Sequence, residues 1–423
     1  MNEVGSSLFA ARSTQTASTR TVTLRSSKRP STRCSVSSRS WPRTEVMTND
    51  TRATYVMIGG FLGAGKTTAV DQLARRLTDR GLRVGLITND QSSGLVDTSI
   101  LRSRGFAVEE IAGGCFCCRF GSLAEAADRL ESDARPDVFL AEPVGSCTDL
   151  VATVSYPLRR LYGDRFRIAP LSVLVDPARA RRILGLADGR SFSEKVVYVY
   201  EKQLEEADLI VVNKTDTLSA EECDELVAAL AKRFPHADVI RASLRNGEGT
   251  DAWFDRIVED EASVRPTMPL DYDLYAEGEA LLGWLNATVR LTASEGPVDA
   301  NALLVDLASE IRARLATEEI EIAHLKATLD AGDAAGRLAA LSITSGEEQA
   351  DLREALVDGV EGGELVLNLR AEGDPDLLRR IVAESLDACT AARPGLTGSI
   401  EHEEFFRPAP PTPTHRDEIA AEV

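Results

Sequence analysis

The feature that most restricts the fold is Gly60-Phe61-Leu62-Gly63-Ala64-Gly65-Lys66-Thr67, a complete G-x-x-x-x-G-K-T run. It follows the apolar stretch Tyr55–Ile58 directly and precedes a segment in which Val70, Leu73, Ala74 and Leu77 mark one face of a helix. Strand, glycine-rich turn and helix in that order make a phosphate cradle. The glycines let the backbone close around an anion, the inward N–H groups form a nest, and the positive end of the helix faces it. Further apolar runs at Leu82–Thr88, Val138–Glu142, Leu171–Asp176 and Leu209–Asn213 read as buried strands. They alternate with amphipathic stretches, including one marked by Leu226, Ala229, Leu230 and Phe234. The expected fold is therefore α/β, a mostly parallel sheet with helices on both faces and ligands at the carboxyl ends of its strands.

In that cradle Gly60, Gly63, Ala64, Gly65 and Thr68 complete the nucleotide-binding set, Lys66 reaches the β- and γ-phosphates, and the Thr67 hydroxyl ligates Mg²⁺. The base is chosen by Asn213-Lys214-Thr215-Asp216, an N-K-x-D run after the strand Leu209–Val212. The Asp216 carboxylate can accept from both N1–H and the 2-amino group of guanine, a donor pair that adenine lacks. A site built to pair polar edges rejects the analogue without them by roughly 10⁴ or more. Asn213 lines the acceptor edge of the base, Lys214 lies against its ring, and Ala242-Ser243-Leu244 is the expected third base-side loop. The nucleotide expected is GTP. Two carboxylates at strand ends are hydrolytic candidates: Glu142, holding Mg²⁺ or orienting water, and Asp90, able to do either task. Gly145, in Glu142-Pro143-Val144-Gly145, would sense the γ-phosphate through its backbone N–H.

Between these motifs lies Gly113-Gly114-Cys115-Phe116-Cys117-Cys118. In extended backbone Cys115 and Cys117 face one way and Cys118 the other, but a turn permitted by the two glycines brings all three together. Three soft thiolates suit Zn²⁺, Cu(I) or Co²⁺ and leave an exchangeable fourth position. The competing reading is small buried hydrophobes or a redox pair. Cys147 is a candidate fourth ligand, with core packing the preferred role.

Composition sets the outer bounds. A chain of 423 residues with 43% hydrophobic and 27% charged residues is an ordinary globular composition for two to three domains. Apolar runs stop well short of a membrane span, and a net charge of −19 disfavours nucleic acid. Seven cysteines, three of them within four positions, fit reduced thiols in a cytosol better than a disulfide framework, so a cytoplasmic protein is expected. Residues 1–46 carry eight basic and two acidic residues, a balance of +6 that leaves −25 for the rest. Residues 1–52 read as a disordered leader or a mispredicted start with Met47 as first residue; a transit peptide is the other reading. The expected organisation is then a nucleotide domain at 53–265, a Pro266/Pro269 linker at 266–271, an α+β domain at 272–406 and a proline-rich extended tail at 407–423. In the second domain, strands at Leu281–Leu291, Ile320–Leu329, Leu338–Ile343, Leu365–Leu369 and Leu396–Glu401 and helices at Asp299–Leu315 and Pro375–Cys389 give a ferredoxin-like order with one extra strand. His324 and Lys326 read as a surface pair.

Taken together, Gly60–Thr67, Gly113–Cys118, Glu142–Gly145 and Asn213–Asp216 resemble the CobW-type family of P-loop GTPases, which contains metallochaperones and metalloenzyme activators. Gln203, Ala207 and Asp208 before the N-K-T-D extend the resemblance. It implies that Cys115, Cys117 and Cys118 bind a transition metal, zinc first and cobalt second, and that nucleotide state governs its release to a client metalloprotein. Two departures bear on this. The four histidines, 236, 324, 402 and 415, form no storage stretch, and Pro143-Val144 stands where the family has hydroxyl residues, so hydrolysis is expected to be slow. No arginine finger is evident either. The alternative is a GTP-switch assembly or reactivation factor for a corrinoid or other metalloenzyme, without metal transfer. A third reading, an adenine-nucleotide kinase, has to explain Asp216.

Overall fold

The computed structural model describes residues 52–89, 101, 105–332, 337–346 and 350–418, all within the compact unit formed by residues 50–423. The leader expectation for residues 1–52 and the candidate Asp90 lie outside the described residues, Arg52 excepted. In chain order the first half contains β1 Ala53–Gly60, α1 Lys66–Asp79, β2 Val84–Asn89, β3 Ala107–Ile111, α2 Phe120–Asp133, β4 Val138–Glu142, α3 Tyr156–Tyr162, β5 Phe166–Ile168, β6 Ser172–Val175, α4 Pro177–Ile183, α5 Glu194–Glu205, β7 Leu209–Val212, α6 Ala220–Arg233, β8 Asp238–Arg241 and α7 Thr250–Glu259. The second half holds α8 Tyr272–Leu281, β9 Leu282–Ala293, α9 Ala300–Thr317, β10 Ile322–Asp330, β11 Leu338–Ile343, β12 Asp351–Glu354, β13 Gly362–Glu372, α10 Pro375–Ala391 and β14 Leu396–Phe406.

The first sheet is parallel in the order β3-β2-β4-β1-β6-β7-β8, with β5 also pairing β1. The order reverses around β1 and β4, whose carboxyl ends carry the glycine loop and Glu142. That is where open parallel sheets bind ligands. Strands β1 and β4 are buried on both faces, which is why they read as continuous apolar runs. The α1 residues Val70, Leu73, Ala74 and Leu77 are fully buried, as their spacing requires.

The second sheet is antiparallel, β12-β11-β10-β13-β9-β14. Strands β10, β13, β9 and β14 have the ferredoxin-like arrangement, in which β9 and β10 run parallel on either side of β13. Two strands, β11 and β12, extend the β10 edge, one more than the sequence pattern indicates. Odd-numbered residues such as Leu285, Val289, Leu325, Leu367 and Leu369 share a core with α9 and α10. The other face meets the first half of the chain, where Leu282, Trp284 and Ala323 join the cluster of Phe61 and Leu62. Residues 266–271 have no regular structure yet are pinned along their length. Thr267 N donates to Glu418 O at 3.1 Å, Lys202 Nζ donates to Pro269 O at 2.8 Å, and Tyr198 Oη accepts from Asp271 N at 2.9 Å.

Candidate nucleotide and thiol site

The glycine loop ends β1 and opens α1. Lys66 is buried, its Nζ donating to Gly60 O at 2.9 Å and Phe61 O at 3.4 Å. Thr67 Oγ1 donates to Glu142 Oε1 at 2.9 Å, so the two candidate Mg²⁺ ligands already converge at the strand ends. A hydroxyl at the start of α1 beside a carboxylate at the end of β4 would suit a hard divalent ion. Gly145 closes the same corner: a Cβ there would stand 2.7 Å from Leu62 Cδ2 and 3.0 Å from Lys66 Nζ. Only a residue without a side chain lets this backbone approach the lysine.

The base loop is tied to the cradle through Asn213, whose Nδ2 donates to Ala64 O at 2.9 Å while its Oδ1 accepts from Leu244 N at 3.2 Å. Ser243 Oγ donates to Asp216 Oδ1 at 2.5 Å, bringing the third loop against the candidate base reader. Lys214 has a left-handed backbone, φ 55°, and its ammonium reaches Asp176 Oδ2 at 2.7 Å and Thr344 Oγ1 at 3.1 Å. Its side chain is thus anchored at both ends of its reach, a role sequence reasoning did not assign.

The cysteines sit on a turn in which Cys118 N and Arg119 N both donate to Cys115 O. Gly113 and Gly114 precede it at φ 77° and 151°. Cys115 Sγ stands 2.7 Å from Cys117 Sγ and 3.3 Å from Cys118 Sγ, and the last two are 3.7 Å apart. At metal–sulfur distances near 2.3 Å, tetrahedral thiolates lie about 3.8 Å apart, so small adjustments would seat an ion. Hydrogen bonds from Cys117, Cys118 and Cys147 hold the Cys115 thiol well below its ordinary range, while Cys117 and Cys118 are pushed up. Cys147 touches Cys115 but is not one of the three residues whose sulfurs all lie within 4.8 Å.

Two connections join the thiols to the nucleotide corner. Asn89, at the end of β2, lines the same cavity as Lys66, Thr67 and Glu142. Its Nδ2 donates to Ile111 O at 2.9 Å and Gly114 O at 2.7 Å, and its Oδ1 accepts from Phe116 N at 2.9 Å. Gln203 Nε2 donates to Gly145 O at 2.9 Å and Cys147 O at 2.8 Å. Neither link was found in the sequence, since the asparagine carries no motif of its own. The proline-rich tail does not hang free. Thr412 N donates to Cys118 Sγ at 3.1 Å, Thr414 N to Cys117 O at 2.9 Å, and the His415 ring meets Phe120 edge-on at 5.0 Å. His324 and Lys326 also differ from the expected surface pair. His324 is buried and, chiefly through burial with Lys326, Arg370, Lys66 and Arg179 adding to it, is held well below its ordinary pKa.

A parallel sheet with a G-x-x-x-x-G-K-T loop at its β1 end and an N-K-x-D loop beyond β7 defines a P-loop nucleotide-binding domain of the GTPase type. Residues 54–241 match the CobW/HypB/UreG nucleotide-binding domain, so this part of the chain is similar to that family of P-loop GTPases. Relatives include the zinc chaperone CobW of Sinorhizobium sp, 29% identical over 196 residues covering 42% of this chain and 55% of the relative. The zinc chaperone YeiR of Escherichia coli K12 is 29% identical over 168 residues, 39% and 47% of the two chains. The chain thus spans about half the length of these curated relatives. Among solved structures, the Zn(II)-bound YjiA GTPase from E. coli is 16% identical with a TM-score of 0.31, over 79% of this chain and 98% of that one. HypB from Helicobacter pylori in complex with nickel is 17% identical with a TM-score of 0.37, over 49% and 86%. No helix among the described residues is long and apolar enough to cross a membrane.

Proposed function

We propose that this protein is a Mg²⁺-dependent GTPase that carries a transition metal, zinc before cobalt, on Cys115, Cys117 and Cys118 and delivers it to a client metalloprotein. The observation that carries the reading is Asn89: one side chain lines the phosphate cavity and holds the cysteine turn by three hydrogen bonds. Lys66 binds phosphate, Thr67 and Glu142 would hold Mg²⁺, which would supply positive charge against the phosphates, and Asn213, Lys214 and Asp216 form the base loop. The relatives named zinc chaperones support the metal assignment, as does the convergence of three sulfurs. The division at 266–271 into a nucleotide domain and a client-docking domain belongs to the same proposal, as does a cytoplasmic location.

The test is metal analysis of the full chain purified from its own host, beside single serine variants. The expected result is about one zinc per chain, lost on Cys115→Ser, Cys117→Ser or Cys118→Ser and kept on Cys223→Ser or Cys389→Ser. Metal content unaffected by the triplet variants would overturn metal carriage and leave the GTP-switch assembly factor as the better reading.

A further inference from the structure

We infer that the second sheet is a wall of the nucleotide site, and that Lys326 and Arg353 grip the polyphosphate of GTP from the side opposite the glycine loop. The inference rests on the GTP-binding reading above and adds residues to it.

The argument begins with strand alternation. On β9, β10 and β13 the odd-numbered residues fill the core with α9 and α10, and the even-numbered ones on the other face include Asn286, His324, Lys326, Asn368 and Arg370. An antiparallel sheet covered on one face usually turns its polar face to water. Here that face is buried: Asn286, His324, Asn368 and Arg370 are each under 9% exposed. The glycine loop packs against part of it. Arg179 Nη2 donates to Ala323 O at 2.9 Å and its other guanidinium nitrogen to Leu62 O, stitching loop to sheet. At Gly63, φ 81°, an added Cβ would fall 2.8 Å from Thr344 Cβ.

The sheet meets both ends of the loop: Thr344 covers Gly63, Arg353 Nη1 donates to Thr68 Oγ1 at 3.1 Å, and Lys326 is paired in register with Ser342 on β11, the strand that leads to Thr344. Lys326 and Arg353 line the same cavity as Lys66, Thr67 and Glu142. Trp284 lines it too, and its buried Nε1 has no hydrogen-bond acceptor among the described residues. Cationic groups therefore collect around a helix N-terminus in a chain of net charge −19, and an anion is what such a corner recognises. Among the described residues Arg353 pairs with Asp351 at 3.7 Å, which Arg245 also engages at 3.2 Å.

Position separates the two roles. Lys326 lines the cavity together with Glu142 and Gly145, the residues expected beside the γ-phosphate, and is assigned to that phosphate. Arg353, beside Thr68, serves the inner phosphates that GTP and GDP share. The second sheet would then read whether the γ-phosphate is present without any arginine from a partner.

Calorimetric titration of the full chain with GTPγS and with GDP, both with Mg²⁺, tests this. Lys326→Gln is expected to weaken GTPγS by about 10- to 100-fold and GDP by less than about threefold, whereas Arg353→Gln weakens both by a similar factor of about tenfold. Lys326→Arg should keep most of the GTPγS affinity. If Lys326→Gln fails to fold by thermal melting, Arg353→Gln, half-exposed on the edge strand β12, carries the test alone. Parental affinity for both nucleotides in the folded variants would overturn the inference. Failure of the parent chain itself to bind GTPγS would instead overturn the GTP reading.

Discussion

Asn89 illustrates how much one buried amide can specify. Two carbonyls accept from its nitrogen and one N–H donates to its oxygen, so aspartate would set a carboxylate against Ile111 O and Gly114 O. Glu206 shows the opposite economy of donors. It is buried, its oxygens accept from Val151 N at 3.0 Å and Thr148 Oγ1 at 3.1 Å, and burial above all pushes its pKa up to about 8. In the unfolded chain a glutamate ionises near 4.3. The fold thus holds a proton that the unfolded chain has released. The contribution is fully present below the unfolded pKa and is lost as pH rises through about 8. Stability should fall from pH 5 to 8 with a slope of up to ~1.4 kcal/mol per pH unit from this group. Melting curves across that range should be flatter in Glu206→Gln, with Glu279, also raised to about 8, supplying the slope that remains. Equal slopes in parent and variant would contradict the assignment.

At the scale of elements, the tail after β14 is the clearest addition to the sequence reading. From Thr412 to Glu418 it lies as a strap across the cysteine turn, held by Arg416 Nε on Asp149 at 2.8 Å, Arg160 on Asp417 at 2.8 Å and Asp417 N on Ala152 O at 2.9 Å. A chain ending at Arg407 should therefore expose Cys118, and its alkylation by iodoacetamide should quicken by about tenfold. An unchanged rate would mean that the strap does not shield the thiol. The strap was illegible because four prolines and scattered polar residues carry no periodicity, and its order comes from partners 148 or more positions away. Strands β1, β4 and β7 were legible because burial on both faces leaves unbroken apolar runs. Strand β3, with Glu109 and Glu110, and the edge strands β8 and β12 were not, since edge positions tolerate charge. The glycine loop, base loop and cysteine triplet were legible as motifs. His324 and Lys326 were misread, because strand alternation cannot distinguish a face turned to water from one turned to another site.

For the whole molecule, the arrangement places three functions on one corner. The glycine loop faces the second sheet on one side, Glu142 and Gly145 lie at its centre, and Asn89 and Gln203 lead to the thiols. A phosphate that moves Gly145 or Asn89 would move Cys147 and the cysteine turn with them, because those contacts are short, buried and shared. Coupling of this kind is reciprocal: whatever factor GTP imposes on metal affinity, metal must impose on GTP affinity. Under the proposed function, metal binds more tightly in the GTP state and is released after hydrolysis. The most direct test is zinc affinity of the full chain, measured by competition with a chelating dye in GTPγS–Mg²⁺ and in GDP–Mg²⁺. The predicted result is about 100-fold tighter zinc binding with GTPγS, a coupling of ~2.7 kcal/mol; the same affinity in both nucleotides would contradict it.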